Sequence, residues 1–322
     1  LFHGPPGVGK REVARTFART LLDTTREFHP DLYELDALGE MIRIDAIREL
    51  RRDLHMRPFE ASRRVYLVHR AHLMNEDAAD ALLKDLEEPP SYAVIVLIAD
   101  DLGPLPETIR SRCQLVSFHR LSERAIRELV DARAPHLAEE ERAAVARVSA
   151  GRMDRLDRLL DPASVARRGR LLEQARAVYL DDSFDAGDAA AALIANAQER
   201  ATEARETEEA RIADLDLTAR DADQRVKRAA RGAEREELLA QLEELGAWYR
   251  DLVAVGVGAP RAAIHLDRLA ELEEDATRER LVGAEHAAEA VRATWRELEE
   301  FQLAPQLALE ALFLRIEREL KI

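Results

Sequence analysis

Near the start of the chain, Gly4-Pro5-Pro6-Gly7-Val8-Gly9-Lys10 has the glycine spacing and terminal lysine of a loop that cradles phosphate groups. In such a loop the glycines let backbone N–H groups converge on an anion. The lysine reaches the outer phosphates, and the hydroxyl of the following residue binds magnesium. Here that residue is Arg11, which has no hydroxyl and carries a permanent positive charge. A guanidinium about 4 Å from a divalent ion would be repelled by roughly 8 kcal/mol at an effective dielectric near 20, so the two exclude each other unless Arg11 points away. Hydrolysis also needs carboxylates at the end of a neighbouring strand, where they hold magnesium and orient water. The apolar run Arg64–Val68 ends instead in His69-Arg70-Ala71-His72. Two histidines without cysteine or carboxylate company read as ordinary side chains, and no metal site is expected.

The elements that must hold this loop alternate short apolar runs with amphipathic stretches from Leu1 to about His119, the pattern of a parallel sheet wrapped by helices on both faces. Candidate strands are Asp31–Leu35, Arg64–Val68, Ala93–Ala99 and Leu115–Phe118, with a first strand ending at Leu1–Phe2. The loop begins so early that the sequence is expected to be truncated at its start. From Ser122 to Leu160 the chain reads as three short helices. Beyond Ala163 it is helical throughout, with breaks near Asp185–Asp188, Gly256–Pro260 and Ala304–Pro305. Ile212, Leu215, Ala219, Ala222, Val226, Ala229 and Ala233 recur at steps of three and four, an apolar stripe on a densely charged segment. Such a stripe serves either an arm that touches a partner or a solvated hairpin that packs on itself.

Bulk composition agrees with a helix-dominated, multidomain chain: 322 residues, 47% hydrophobic and 34% charged, but only 5% aromatic. A net charge of -15 opposes bulk attraction to phosphate backbones, so contact with nucleic acid would have to be local or made through partners. The single cysteine, Cys113, excludes an intramolecular disulfide and a cysteine zinc cluster within this sequence and fits a reducing cytoplasm. The longest apolar run, Ala93–Ala99, is far short of the ~20 residues of a membrane span, and no membrane partner is expected.

Three longer strings are more specific than the loop. Asn75 to Pro90 reads Asn-Glu-Asp-Ala-Ala-Asp-Ala-Leu-Leu-Lys-Asp-Leu-Glu-Glu-Pro-Pro, Thr108 to Cys113 reads Thr-Ile-Arg-Ser-Arg-Cys, and Gly151 to Leu160 reads Gly-Arg-Met-Asp-Arg-Leu-Asp-Arg-Leu-Leu. Together with the phosphate loop they resemble bacterial AAA+ clamp-loader subunits of the gamma/tau and delta-prime kind. The resemblance covers Leu1 to about Leu160 well. In the last part it is loose, where Trp248-Tyr249-Arg250-Asp251 is similar to a family collar helix, and the stretch 197–235 reads as a helical insertion. It implies an α/β P-loop AAA+ domain over 1–120, an all-α lid over 121–162 and an all-α collar over 163–322.

The family's acidic pair matches His69 and Arg70, its magnesium-binding hydroxyl matches Arg11, and its polar sensor after the fourth strand matches Ala99. All three are lost, which implies a pseudo-ATPase of the delta-prime kind. No cofactor is then required, and the motif leaves open whether the altered loop of Gly4, Gly7, Gly9 and Lys10 binds ATP. What survives is the interface triplet Ser111-Arg112-Cys113, from which the resemblance implies that Arg112 reaches the ATP of an adjacent subunit. The alternatives are a surface salt bridge for Arg112 and a small buried side chain for Cys113. Arg155 matches the lid's sensor arginine, with a purely structural role as the alternative. A four-cysteine zinc module stands in this family where Asp23 meets Thr24, so zinc is expected only if such a module is missing from this sequence.

The partners implied are gamma/tau and delta subunits, with the sliding clamp and primer–template DNA met through the assembled complex. Two rival readings stand beside this one. In the first, an active ATPase of the gamma/tau type uses Asp100 or Asp101 as a displaced carboxylate. In the second, a helical scaffold carries a vestigial P-loop domain. No polymerase site is recognisable.

Overall fold

The computed structural model describes residues 1–26, 28–36, 41–213, 219–300 and 304–321. They form two compact units, Leu1–Leu137 with Ser149–Asp157, and Ala138–Val148 with Arg158–Ile322.

The first unit is built on β1 (Phe2–His3), α1 (Lys10–Leu21), β2 (Leu32–Leu35), α2 (Ile44–Leu54), β3 (Arg64–Val68), α3 (Glu76–Glu87), β4 (Ala93–Ala99), α4 (Glu107–Arg110) and β5 (Val116–Ser117). All strand pairs are parallel and the order is β2-β3-β4-β1-β5. Alternate residues serve opposite faces. Val65, Leu67, Val96 and Ile98 pack with Ala14, Ala18 and Leu22 around α1, while Tyr66, Val68 and Leu97 pack with Ile47, Leu50, Leu54 and Leu82 of α2 and α3. Burial on both faces explains why β3 and β4 lack polar alternation.

Three strands are offset or shorter than their apolar runs. β1 takes in His3 rather than Leu1, and β5 keeps only two residues at the exposed edge of the sheet. β2 begins at Leu32, after a turn in which the Leu32 N–H donates to the His29 carbonyl, and the buried Asp31 carboxylate accepts the N–H groups of Phe59, Glu60 and Ala61 at 2.6, 2.9 and 2.9 Å.

The three short helices predicted after Ser122 form as α5 (Glu123–Arg133), α6 (Glu139–Val148) and α7 (Met153–Leu160). Ser122 caps α5 through the Ala125 N–H. The two units divide these helices: α5 and the first turn of α7 belong with the sheet, and α6 with the C-terminal helices.

The second unit continues with α8 (Pro162–Leu180), α9 (Ala186–Ile212), α10 (Ala219–Gly256), α11 (Leu269–Asp275), α12 (Arg280–Glu300) and α13 (Pro305–Leu320). The breaks fall where the sequence places them, and Asp161 and Asp185 cap α8 and α9. Leu172, Leu193, Leu242, Leu245, Trp248, Tyr249 and Phe313 are fully buried in its core. The buried indole N–H of Trp248 is satisfied by the Tyr179 hydroxyl at 3.2 Å, which in turn donates to Asp275 at 2.8 Å.

Helices α9 and α10 pack along each other, and the apolar stripe faces inward. Ile212 and Val226 are buried, Ala222, Ala229 and Ala233 are half-buried, Ala219 is exposed, and Leu215 lies outside the described residues. The Arg225–Glu208 ion pair bridges the two helices beside it. This arrangement is that of a hairpin closed on itself.

Candidate functional site: a phosphate loop closed by its own charges

Strand register explains which residues gather at the loop. His3 of β1 lies beside Ala99 of β4, so the next residues along the two strands, Gly4 and Asp100, are neighbours. Leu35 of β2 lies beside Val68 of β3, which brings Asp36 next to His69 and Arg70. The loop therefore sits at the carboxyl ends of the central strands, the usual ligand edge of an open parallel sheet.

The glycines are required by geometry. Gly7 has φ +75°, and a Cβ there would meet the Asp154 carboxylate at 2.1 Å; a Cβ on Gly4 would meet the Phe118 carbonyl oxygen at 2.1 Å. Lys10 is buried, and all three donors of its ammonium are used inside the chain. Nζ donates to the carbonyls of Gly4 at 2.6 Å and Pro5 at 2.7 Å, and pairs with Asp100 at 2.7 Å. From the first turn of α7, the Met153 N–H donates to the Gly7 carbonyl at 2.7 Å, and the Asp154 carboxylate rests over Gly7 while accepting from Arg152 at 2.7 Å. Arg155 lies on the same turn, and its backbone N–H bonds Asp154 at 2.8 Å.

Arg11 and Arg70 share one carboxylate. Arg11 pairs with one oxygen of Asp36, and Arg70 Nε donates to the other at 2.8 Å. Burial pushes Asp36 up, but the two guanidiniums outweigh it and hold the carboxyl below its ordinary value. His69 is buried, with Nε2 at 2.7 Å from Glu34; burial lowers its pKa against the opposing pull of Glu34, which leaves a neutral ring donating from Nε2. Glu34 is raised by burial but brought down to about 2 by His69 and Arg15. His72 is likewise lowered, first by burial, and its Nδ1 accepts the Asp100 N–H at 3.1 Å. Ala99 is buried in the apolar core and offers no polar group.

These residues do not fit magnesium. The hydroxyl position holds a guanidinium, β3 ends in a neutral histidine and an arginine, and the carboxylates Asp36, Asp100 and Asp154 are each bound to cations of the chain. Asp101 turns away from the loop to cap the Gly103 N–H at 3.0 Å. The sequence reading missed Asp36 and Glu34, which belong to no motif, and the place of Asp154, which lies inside the Gly151–Leu160 string. The signal for Asp36 is the parallel pairing of β2 with β3, which strand spacing alone does not reveal. Among the described residues, no group of three or more histidine, cysteine or carboxylate side chains could hold a metal ion.

Arg112 stands apart from the loop, just past α4. Its Nε donates to Glu87 Oε1 at 2.6 Å, NH2 pairs with the same oxygen, and NH1 donates to the Thr108 carbonyl at 2.9 Å, an acceptor shared with the Ser111 hydroxyl at 3.2 Å. The side chain thus has the surface ion pair expected of the bland alternative, formed with the last residue of α3. Cys113 is half-buried against the α2–α3 core, and burial pushes its thiol up.

Among the described residues no helix is long and apolar enough to cross a membrane. Residues 1–122 match the family model described as DNA polymerase III, delta subunit. The DNA polymerase III subunit tau of Escherichia coli is 31% identical over 215 residues, covering 60% of this chain and 33% of that protein. The corresponding tau subunit of Bacillus subtilis is 30% identical over 184 residues, covering 51% and 32%. The delta-prime subunit of Bacillus subtilis is 30% identical over 156 residues, covering 43% and 47%. The chain thus matches about a third to a half of the length of these relatives. A solved structure of a gamma subunit-related protein from Thermotoga maritima covers 99% of this chain and 94% of its own, at 19% identity and a TM-score of 0.44. By its motifs and by the sequence matches, the first part of the chain, residues 1–122, is similar to the AAA+ clamp-loader subunits of DNA polymerase III.

Proposed function

We propose that the chain is a non-hydrolysing clamp-loader subunit of the delta-prime kind, which works in the cytoplasm and lends Arg112 to the ATP site of a neighbouring gamma/tau-type subunit. The observation that carries the first half is the Arg11–Asp36–Arg70 triad, which puts two fixed positive charges and a neutralised carboxylate where hydrolysis needs a hydroxyl and free acids. The Lys10–Asp100 pair supports the same reading, because it removes the carboxylate that an active ATPase would have to borrow. A planar, always charged guanidinium at a subunit edge stabilises charge on a phosphoryl group in transfer, and such an arginine is worth roughly 10³–10⁵ in rate. In this reading the chain works with gamma/tau and delta subunits and meets the sliding clamp and primer–template DNA through the complex. It needs no cofactor of its own, and zinc enters only with a cysteine module beyond this sequence.

Two assays test the proposal. The purified chain with ATP and magnesium should show no turnover above the no-protein control. In a reconstituted loader, Arg112→Ala should cut the clamp-stimulated ATPase severely. Turnover by the chain alone defeats the first half, and an unchanged R112A loader defeats the second.

A further inference from the structure

We propose that Glu87 is the positioning residue for Arg112, fixing the direction in which the guanidinium presents its remaining donors; this rests on the in-trans role proposed above. An arginine side chain carries five N–H groups. Nε and one N–H of NH2 go to Glu87 Oε1, and one N–H of NH1 goes to the Thr108 carbonyl. One N–H is left on each terminal nitrogen, with no further partner among the described residues. Two terminal donors of this kind are what a phosphate's oxygens accept, with the geometric specificity that a rigid fork provides.

The clamp is built from two elements. Glu87 is the last residue of α3, a helix started by the Asn75 cap on the Ala78 N–H at 3.1 Å and stopped by Pro89-Pro90. The apolar face of α3 is anchored by Ala78, Ala79 and Leu82. Thr108 belongs to α4, whose Ile109 is buried in the same core. A flexible arginine stem is thereby held at two edges of its planar head by two packed helices. The pair is exposed, so Glu87 orients the guanidinium while leaving its outer edge open.

The two strings Leu-Glu-Glu-Pro-Pro and Ser-Arg-Cys thus meet in one contact. Losing it frees the arginine to sample other rotamers, and misplacing a transition-state group by about 1 Å costs up to about 10²-fold in rate.

The test is the reconstituted loader carrying Glu87→Ala, Glu87→Gln or Arg112→Ala, with clamp- and DNA-stimulated ATP turnover resolved into kcat and KM. E87A should lower kcat about tenfold or more with KM unchanged. E87Q should recover most of that loss, because the amide oxygen accepts the same N–H groups. Unfolding temperatures of the isolated variants should match the parent, which separates positioning from damage to the fold. Wild-type kcat in E87A beside an impaired R112A overturns the positioning role and leaves the finger intact. E87Q as slow as E87A also overturns it. Wild-type kcat in R112A sinks the finger reading itself, and the positioning role with it.

Discussion

The Arg11–Asp36–Arg70 triad makes a prediction about sign as well as size. The three side chains are 40%, 38% and 36% exposed, so each ion pair must be discounted toward the surface value of about 0.5–1 kcal/mol, and Asp36→Ala should cost about 1–2 kcal/mol. The informative measurement is Arg11→Ala in both backgrounds. In the parent, Arg11 gains from Asp36 more than it loses to Arg70, so R11A should destabilise by a few tenths of a kcal/mol up to about 1. Without Asp36, only repulsion remains. Two guanidiniums held on one carboxylate repel, and at this exposure the repulsion stays near the surface scale of about 1 kcal/mol or less. R11A should therefore stabilise the D36A protein by up to about 1 kcal/mol, a reversal of sign. Urea unfolding of the four proteins in the double-mutant cycle reads this directly, and repeating it at 1 M salt, where the Debye length is about 3 Å, should shrink the coupling. If R11A destabilises both backgrounds equally, Arg11 acts through its aliphatic stem, and charge compensation at the loop is refuted.

Acid should weaken the same region. Glu34, brought down to about 2, contributes stability that is fully present above its ordinary unfolded value near 4.5 and is lost as pH falls toward 2. His69 has the same sign, since its folded pKa lies below the unfolded 6.5 and protonating the buried ring costs stability from that pH downward. Glu34→Gln should flatten the acid limb of a pH–stability curve below pH 4.5; an unchanged limb would show that the Arg15–Glu34–His69 contacts contribute nothing. Gly7→Ala should destabilise the first unit by about 1–3 kcal/mol, because φ +75° is costly for any side chain, and Asp154→Gly should recover only the steric part. Thermal unfolding of G7A and of the G7A/D154G double variant checks this, with full recovery in the double variant counting against backbone strain.

The sequence was readable where a local rule is strong. Glycine spacing located the loop, unbroken apolar runs located β3 and β4, and Ser122, Pro162 and Pro305 marked helix starts within a residue of where they occur. It was silent where the outcome depends on strand order. Lys10 meets Asp100 because β1 inserts beside β4, and Arg70 meets Asp36 because β2 pairs with β3. No spacing of 90 or 34 residues in one chain announces these pairings. Edge strands were the other weak point: β5 has few neighbours to bury its side chains, so its apolar run overstates its length.

The charge arrangement at the loop also bears on how the departures from the family pattern hold together. Arg11 alone would leave a cation beside Lys10 at the mouth of a loop that already gathers N–H dipoles, and Arg70 alone would add a second. Asp36 is shared by both and Asp100 offsets Lys10, so five side chains from the ends of three strands and one helix form a neutral pair and a triad whose net charge is reduced to +1. Reverting one position is therefore not a step back toward hydrolysis. Arg11→Thr would restore a hydroxyl but leave His69 and Arg70 where carboxylates are needed, while Arg70→Asp would place a second acid beside Asp36 with only Arg11 to offset the pair. The expected outcome is that neither single reversion yields ATP turnover and that R70D, by setting like charges side by side, is the less stable of the two.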